Sequence, residues 1–515
     1  MTRKILVLGL SVLPTLALGM EHAPDSVHHL SQVEVLGKHI KKPAKKSLGL
    51  SRTDVSLDKL PMTINTIDMK DLAMRGLYQP MEALRFSSGT GIRQTYGAFL
   101  QLSIRGFDYA PVVVDGMRDE RTTFNSYPLS DLSDVESIEI LKGPASVLQG
   151  HSAVGGTMNI TRRKAIQQTN ISAYLSYGSF DSKRAMVSAG GYLGQGWSIL
   201  SGVAYAGGEG WRSRGDRNFK AYTTASKVWN NNTLDLRLSY HNDFYGTEAG
   251  LPAVFTTPIY DSRTNEEYLK PGQLQPKIRR DARYNNESDE MYHRSLYFTA
   301  NWTSQLTDWL KLREQFSLSH DDIDYFSTEE LSYLTSTKLN ADGSAPYAHY
   351  YMSKDKDGKE VKTFVDLSRV QLTSPLRFRH MAKTAQNQLS LEAKFQTYGF
   401  AHNLNAGYAL SFMDRVSFTG YQFGPKADTQ DVTGAGLNSI ISAYDPISAG
   451  PMQSRFSKAN PMKVLSHGFF VQDVVEFSPM LQAMLAMRYD LYSYTTWHAC
   501  RQQRWRHSLH RAREV

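Results

Sequence analysis

Between residues 169 and 496 one theme recurs: about ten residues in which apolar and polar side chains alternate, followed by a polar loop. Segments 171–177, 183–193, 197–205, 233–240, 295–302, 309–319, 388–395, 404–412, 468–477 and 481–489 all follow it. A period of two sends successive side chains to opposite faces, so each segment reads as a strand separating two different media. Lipid on one face and a wet or filled lumen on the other require this pattern, and tyrosine and tryptophan gather at the segment ends as interfacial girdles would. Loops read as short at one end (177–181 and Ser478-Pro479) and long at the other (246–283 and 327–376), which fits periplasmic turns and extracellular loops. Strands of a soluble sandwich or propeller also alternate, so the rest of the chain has to decide between them.

Composition removes other classes. With 22 Phe, 28 Tyr and 7 Trp in 515 residues, the chain carries too much apolar surface for disorder. Cys500 is the sole cysteine, which excludes a disulfide framework and any Cys-ligated zinc or iron–sulfur site. Beyond the N-terminus no run of about 18 apolar residues appears, so a helical membrane protein is excluded. The net charge of +8 is not a nucleic-acid footprint, because Arg501, Arg504, Arg506, Arg511 and Arg513 stand against Glu514 in the last few residues.

Arg3 and Lys4 precede an apolar stretch, 5–18, that is too short to span a bilayer, contains Pro14 and ends in Ala17-Leu18-Gly19. Residues 1–19 are therefore expected to be a secretory signal peptide. Residues 20–49 are polar and basic and broken by Pro24 and Pro43, as a tether would be. One island, Gln32, Val33, Glu34, Val35, Leu36 and Gly37, alternates like a strand. Read alone, it is either a segment that adds to the edge of a partner's sheet or an incidental strand remnant. His22, His28 and His29 lie on the same arm without the fixed geometry a metal needs.

Residues 50–165 read as a compact α+β unit. Residues 62–67 resemble a strand, 67–84 contain a helical period with Asp68 as N-cap, and 103–106, 112–117 and 135–141 are further strands, with Asp115-Gly116 marking a tight hairpin. The glycine-rich block 150–160 invites two enzymatic readings, and both fail. Val154 stands where a nucleophile elbow needs its second glycine, and Thr157 follows Gly156 without the lysine of a phosphate loop. Paired Gly155 and Gly156 are better explained by close backbone packing. No nucleophile, base and acid arrangement stands out, so the chain is expected not to be an enzyme.

Four motifs in order carry a family resemblance: Ser103-Ile104-Arg105-Gly106-Phe107, Val114-Asp115-Gly116-Met117-Arg118, the run 135–148 with Glu136, Glu139, Lys142, Gly143 and Pro144, and Gly155-Gly156-Thr157-Met158-Asn159-Ile160. This order resembles the plug domain of TonB-dependent siderophore receptors of the ferrichrome type. Segments 468–473 and 485–490 are similar to mid-barrel strands of the same family. Ser137 departs from the family's usual arginine and is expected to weaken one plug contact. The resemblance implies a mainly β fold, a transmembrane antiparallel β-barrel with an N-terminal α+β plug. It also implies that Gln32, Val33, Glu34, Val35 and Leu36 form the TonB box, and that the chain sits in the Gram-negative outer membrane. The implied function is TonB-driven uptake of a ferric siderophore. Its implied partners are the TonB complex, the chelate and outer-membrane lipid, with no nucleic acid. Iron would be held by its chelator, so neither a cofactor nor protein metal ligands are expected.

Chelate binding is expected at the outward apex of the plug. Arg93 matches the position of a ligand-contacting arginine in ferrichrome-type receptors, and Tyr96, Phe124 and Tyr127 lie in apical loops; a cation with aromatics suits an anionic or carbonyl-rich chelate. The alternative for Arg93 is an ordinary solvated charge. Asp321, Asp322 and Asp324 read as a solvated acidic cluster rather than a calcium site. Other cargoes (cobalamin, haem, a metal chelate or a glycan) remain open, although histidine motifs typical of haem receptors are not seen.

After Thr496 the alternation stops. At roughly 27 residues per strand and loop, 166–496 would hold about 12 of the 22 strands of such a barrel, and 497–515 read as an aberrant tail. The sequence thus predicts an incomplete barrel from a truncated receptor, one reading of which is a non-functional fragment.

Overall fold

The computed structural model describes residues 48–53, 55, 60–95, 99–121, 131–212, 215–247, 249–285, 289–419, 432–434, 440–447, 452–454, 458–478, 480–499 and 509–511. The expected signal peptide and the segment from Gln32 to Leu36 lie outside these residues, as do Tyr96, Phe124 and Tyr127.

The first part of the chain folds around two small sheets. Its strands are β1 (Thr63–Asp68), β2 (Thr90–Thr95), β3 (Phe99–Ile104), β4 (Phe107–Asp108), β5 (Val112–Val114), β6 (Met117–Arg118), β7 (Val135–Lys142) and β8 (Gly156–Arg162). Its helices are α1 (Leu48–Ser51), α2 (Met69–Ala73), α3 (Pro80–Leu84) and α4 (Ser146–Gln149). One sheet runs β1-β7-β8-β5-β6, with β5 and β8 parallel; the other is β2-β3-β4. Ile67, Leu72, Leu84, Ile104, Ile138, Ile140, Met158 and Ile160 form one apolar core between them.

Local chemistry sets several of these boundaries. Asp68 caps α2 by accepting a hydrogen bond from Lys70 N at 2.8 Å, but the helical period expected over 67–84 is broken at Gly76, whose φ is 71°. Pro80 restarts it as α3 behind a Gln79/Glu82 capping box. Asp115 and Gly116 adopt φ of 50° and 90°, the left-handed pair that a tight β5–β6 hairpin requires. At Gly155 and Gly156 neighbouring backbones approach closely. A Cβ on Gly155 would stand 2.2 Å from Ile104 O, and one on Gly156 would stand 2.2 Å from Leu141 O.

The rest of the chain is a large antiparallel sheet. Its long strands are β9 (Asn170–Gly178), β10 (Ser182–Gly194), β11 (Trp197–Gly208), β12 (Asp216–Trp229) and β13 (Asn232–Gly246). After two short strands, β14 (Ile259–Asp261) and β15 (Glu267–Leu269), come β16 (Glu290–Gln305), β17 (Leu310–Ser336), the short β18 (His349–Lys354), β19 (Glu360–Thr397) and β20 (Phe400–Thr419). The short β21 (Val432–Gly434), β22 (Ile440–Ser442) and β23 (Met452–Ser454) precede β24 (Lys458–Ser478), β25 (Leu481–Ala499) and the three-residue β26 (Leu509–Arg511). Among the described residues the main path holds twelve strands, β9 to β13, β16, β17, β19, β20 and β24 to β26, and β9 does not pair with β25 or β26.

Side-chain burial along these strands inverts the pattern of a soluble protein. On β13, Arg237, Ser239, His241 and Asp243 are buried, while Leu238 and Tyr240, which alternate with them, are exposed. On β16 and β17, His293, Ser295, Ser317, Ser319 and Asp321 are buried while Leu296 and Leu318 are exposed. A polar interior and an apolar exterior belong to a barrel wall in lipid, which removes the sandwich and propeller readings. Trp229, Trp302, Trp309 and Tyr398 are exposed beside the turns that join β12 to β13, β16 to β17 and β19 to β20, as an interfacial girdle.

Four expectations change. Since every strand of the path is antiparallel to its neighbour, the 177–181 turn between β9 and β10 lies at the same end as the long loops; its length alone misplaced it. The expected loop 327–376 is mostly strand, because β17 and β19 stay paired out to Ser336 and Phe364. β12, rich in alanine and threonine, escaped the search for alternation. β25 continues past Thr496 to Ala499, where Leu509–Arg511 pairs with it.

The outer loops are themselves packed. β14 pairs with β15 and β18, and β22 pairs with β19. Ile259, Leu269, Val365 and Leu367 form one buried cluster there, and Ala282, Tyr284, Val370, Leu372 and Ala443 form another.

Candidate functional site

Arg93 sits on β2, whose hairpin with β3 opens toward the long-loop end of the wall. Phe99, the first residue of β3, fixes this orientation: it is buried with Tyr245, Met291, Ile323, Tyr325 and Phe378, the last two of which stack at 4.5 Å. This aromatic shelf escaped the sequence reading, because its members come from four separate strands and each looks like any other residue in an alternating run. The Arg93 guanidinium is 65% exposed and lies 3.6 Å from Asp108 on β4, itself 51% exposed. Arg93 thus lies at the long-loop end, paired with an acid that the sequence reading did not place there. The described residues do not include the aromatic partners expected at Tyr96, Phe124 and Tyr127, so of that group only Arg93 has a described position.

The motif residues organise the plug internally. Arg105 and Gly106 form the β3–β4 turn with φ of 52° and 82°. Asp115 Oδ1 accepts from Arg162 N at 2.8 Å, and Gly116 N donates to Asn159 Oδ1 at 3.1 Å. Glu139 is buried and accepts from Asn159 Nδ2 at 3.0 Å; Lys142 donates to Ser88 Oγ at 3.2 Å; Gly143 N donates to Gly155 O at 2.9 Å. Pro144 follows in the loop before α4, and Glu136 is exposed on β7. Ser137 lines a cavity of about 440 Å³ between plug and wall, together with Glu136, Arg163, Arg237 and Glu314.

Plug and wall meet through polar contacts. Asp134, fully buried just before β7, receives Arg162 at 2.7 Å, Lys220 of β12 at 2.7 Å and Arg237 of β13 at 2.6 Å. Burial alone would push its carboxyl up, but the three cations outweigh that and hold it well below the usual carboxylate range. Arg121 forms a fork with Asp119, 2.7 Å at each end, stacks over Tyr297 at 4.4 Å and lies 3.5 Å from Asp321. Asp321 is thus buried against the plug, whereas Asp322 and Asp324 pair with Arg379 and Arg377; the expected solvated cluster does not form. Three wall glutamines reach plug carbonyls: Gln315 to Asp115 O at 2.8 Å, Gln386 to Arg118 O at 2.8 Å and Gln472 to Ser51 O at 2.9 Å.

His151, in the turn after α4, completes the contact with β25. Arg118 Nη2 donates to its Nε2 at 2.9 Å, which leaves the proton on Nδ1 to be donated to the Tyr492 hydroxyl at 2.7 Å. Burial and the neighbouring Arg118 push the imidazole down from its ordinary value, in keeping with this neutral tautomer. None of these clamp partners was legible as a pair in the sequence. Among the described residues no group of three or more His, Cys, Asp or Glu side chains is placed to hold a metal ion.

A plug seated by polar contacts against the polar face of a transmembrane strand wall is the architecture of a plugged outer-membrane barrel. Residues 56–157 match the family described as TonB-dependent Receptor Plug Domain. The chain is 34% identical over 134 residues to the iron-regulated outer membrane virulence protein of Vibrio cholerae, a match covering 23% of this chain and 20% of that one. It is 28% identical over 127 residues to the ferrichrome outer membrane transporter/phage receptor of Escherichia coli, covering 24% and 17%. Among solved structures, the siderophore receptor PiuA from Acinetobacter baumannii superposes with a TM-score of 0.68 at 17% identity, covering 92% of this chain and 62% of that one. The ferric-catecholate import receptor Fiu from E. coli gives 0.66 at 16%, covering 86% and 61%. The matches span about a fifth of the curated relatives and about three fifths of these solved chains. The last three of these are named as transporters or receptors. Residues 56–157 thus match the plug of TonB-dependent receptors, and plug and wall together share the fold of these solved plugged barrels.

Proposed function

We propose that the chain serves TonB-coupled uptake of a ferric siderophore, with the chelate captured at the outward apex around Arg93. The observation that carries this reading is the placement of the β2–β3 hairpin. It presents an exposed guanidinium toward the long-loop end, above a shelf of buried aromatics. An anionic or carbonyl-rich chelate suits such a cation, and the iron stays with its chelator. Energy for release arrives through the segment Gln32 to Leu36, added as a strand to TonB. The polar plug–wall interface favours this reading, because hydrogen bonds can be exchanged for water as the plug moves, whereas an apolar seal could not.

A vitamin B12 transporter of Vibrio cholerae is 32% identical to this chain over 123 residues, so cobalamin is the second cargo to test. The deciding experiment is growth of an iron-starved strain lacking the gene, complemented with the full-length gene and supplied with a panel of purified ferric chelates. Rescue by one chelate class identifies the cargo. If no chelate rescues growth while cobalamin uptake is restored, the siderophore reading fails.

A further inference from the structure

Arg52 follows α1, where the chain enters the plug, and it is held in an expensive state. It is buried, its backbone is left-handed at φ 54°, and its guanidinium lies 4.2 Å over the Phe470 ring of β24. Nη2 donates to Gln149 Oε1 at 3.4 Å and to Gln388 Oε1 at 3.2 Å, while Nε and Nη1 are buried without a hydrogen-bond acceptor. Among the described residues no carboxylate pairs with it.

The neighbouring charges do not compensate. Arg52 lines a cavity of about 30 Å³ with Arg118, Glu120, Gln149, Gln388, Arg488 and other residues. Arg118 is paired with Glu120 at 3.5 Å, and Arg488 with Asp490 at 2.8 Å. His151 nearby is neutral in the tautomer its contacts dictate. Three guanidiniums thus face two carboxylates, and burial with the repulsion of Arg488 pushes Arg52 down to about 9 against the attraction of Asp490. An uncompensated buried cation costs several kcal/mol, so something is expected to balance it. The cavity exceeds the roughly 10–15 Å³ that a single water needs, so it has space for a small ion.

We propose that the space enclosed by Arg52, Arg118, Gln149, Gln388 and Arg488, with Glu120 held by Arg118, binds a small monovalent anion of halide size. The anion accepts from the Arg52 guanidinium, whose Nε and Nη1 lack acceptors, and neutralises it. Gln149 also reaches Gly49 O at 3.3 Å, and Gln472 holds Ser51 O, so the bound ion fastens the first described residues of the plug to the wall. This site is independent of the cargo.

The test uses the receptor purified in detergent, with its unfolding midpoint followed at constant ionic strength as gluconate is replaced by chloride or bromide. A saturable upward shift with either halide, lost in Arg52→Met, is expected. Equal midpoints in gluconate and halide, or a shift that survives in Arg52→Met, would overturn the proposal. Should that variant fail to fold, crystals of the unaltered receptor grown in bromide decide directly. An anomalous peak in contact with Arg52 supports the site, and its absence there rejects it.

Discussion

The carboxylate of Asp134, in the plug, lies 2.6 Å from the guanidinium of Arg237 on the wall, with both side chains withdrawn from solvent. Lys220 and Arg162 complete the ring of cations. Removing the one anion leaves three buried cations facing each other, so Asp134→Asn should destabilise the plugged state by about 3–5 kcal/mol. Urea unfolding of the purified receptor measures this. Combining Asp134→Asn with Arg237→Met should recover part of the loss, and additive costs in that double mutant would show that the pair does not couple.

His151 makes the interface sensitive to pH in a definite direction. Its folded-state value is depressed, so its contribution to stability is complete above the ordinary histidine value of about 6.5 and is lost as pH falls through the lower folded value. The unaltered receptor should therefore lose stability on acidification below about pH 6.5, and His151→Gln should remove that component while leaving the curve above neutrality unchanged in slope. Parallel slopes for the two proteins below that pH would contradict the neutral tautomer.

At the apex, the Arg93 guanidinium already has an acid beside it. Arg93→Ala should weaken the cognate chelate by about 1–3 kcal/mol if the contact is a charge-assisted hydrogen bond. Asp108→Ala should act in the opposite direction for an anionic chelate, because it removes a competing carboxylate 3.6 Å away. Fluorescence-quenching titrations of both variants test the pair, and unchanged affinity in both would return Arg93 to the role of a solvated charge.

On the proposed function, force transmission should be separable from capture. Val33→Pro deletes a backbone donor in the segment proposed to pair with TonB, so iron uptake by cells should fall while chelate affinity of the purified receptor stays constant. Equal loss of both would refute the assignment of that segment.

What the sequence discloses follows from the range of the interaction. The Asp115-Gly116 turn and the close approach at Gly155 and Gly156 are dictated by neighbours in the chain, so residue type alone announces them. The ring around Asp134 is invisible by the same logic. Lys220 and Arg237 are remote in sequence, and in an alternating strand an inward polar residue has the same spelling as an outward one on a soluble sheet. Asp321 was misread for that reason, since an acid-rich strand end suggests solvent until Arg121 is seen to come from another domain. Turn length likewise gives no direction, and only strand parity placed the 177–181 turn at the outer end.

The glutamines at 315, 386 and 472 grip main-chain oxygens of Asp115, Arg118 and Ser51, not their side chains. Every residue type supplies that acceptor. The lodging of the plug is therefore written partly in backbone shape, and mutation at Ser51 can change the surface of the plug without erasing its anchor there. At these three positions the plug is free to vary in residue type, while the wall side of each contact requires an amide donor.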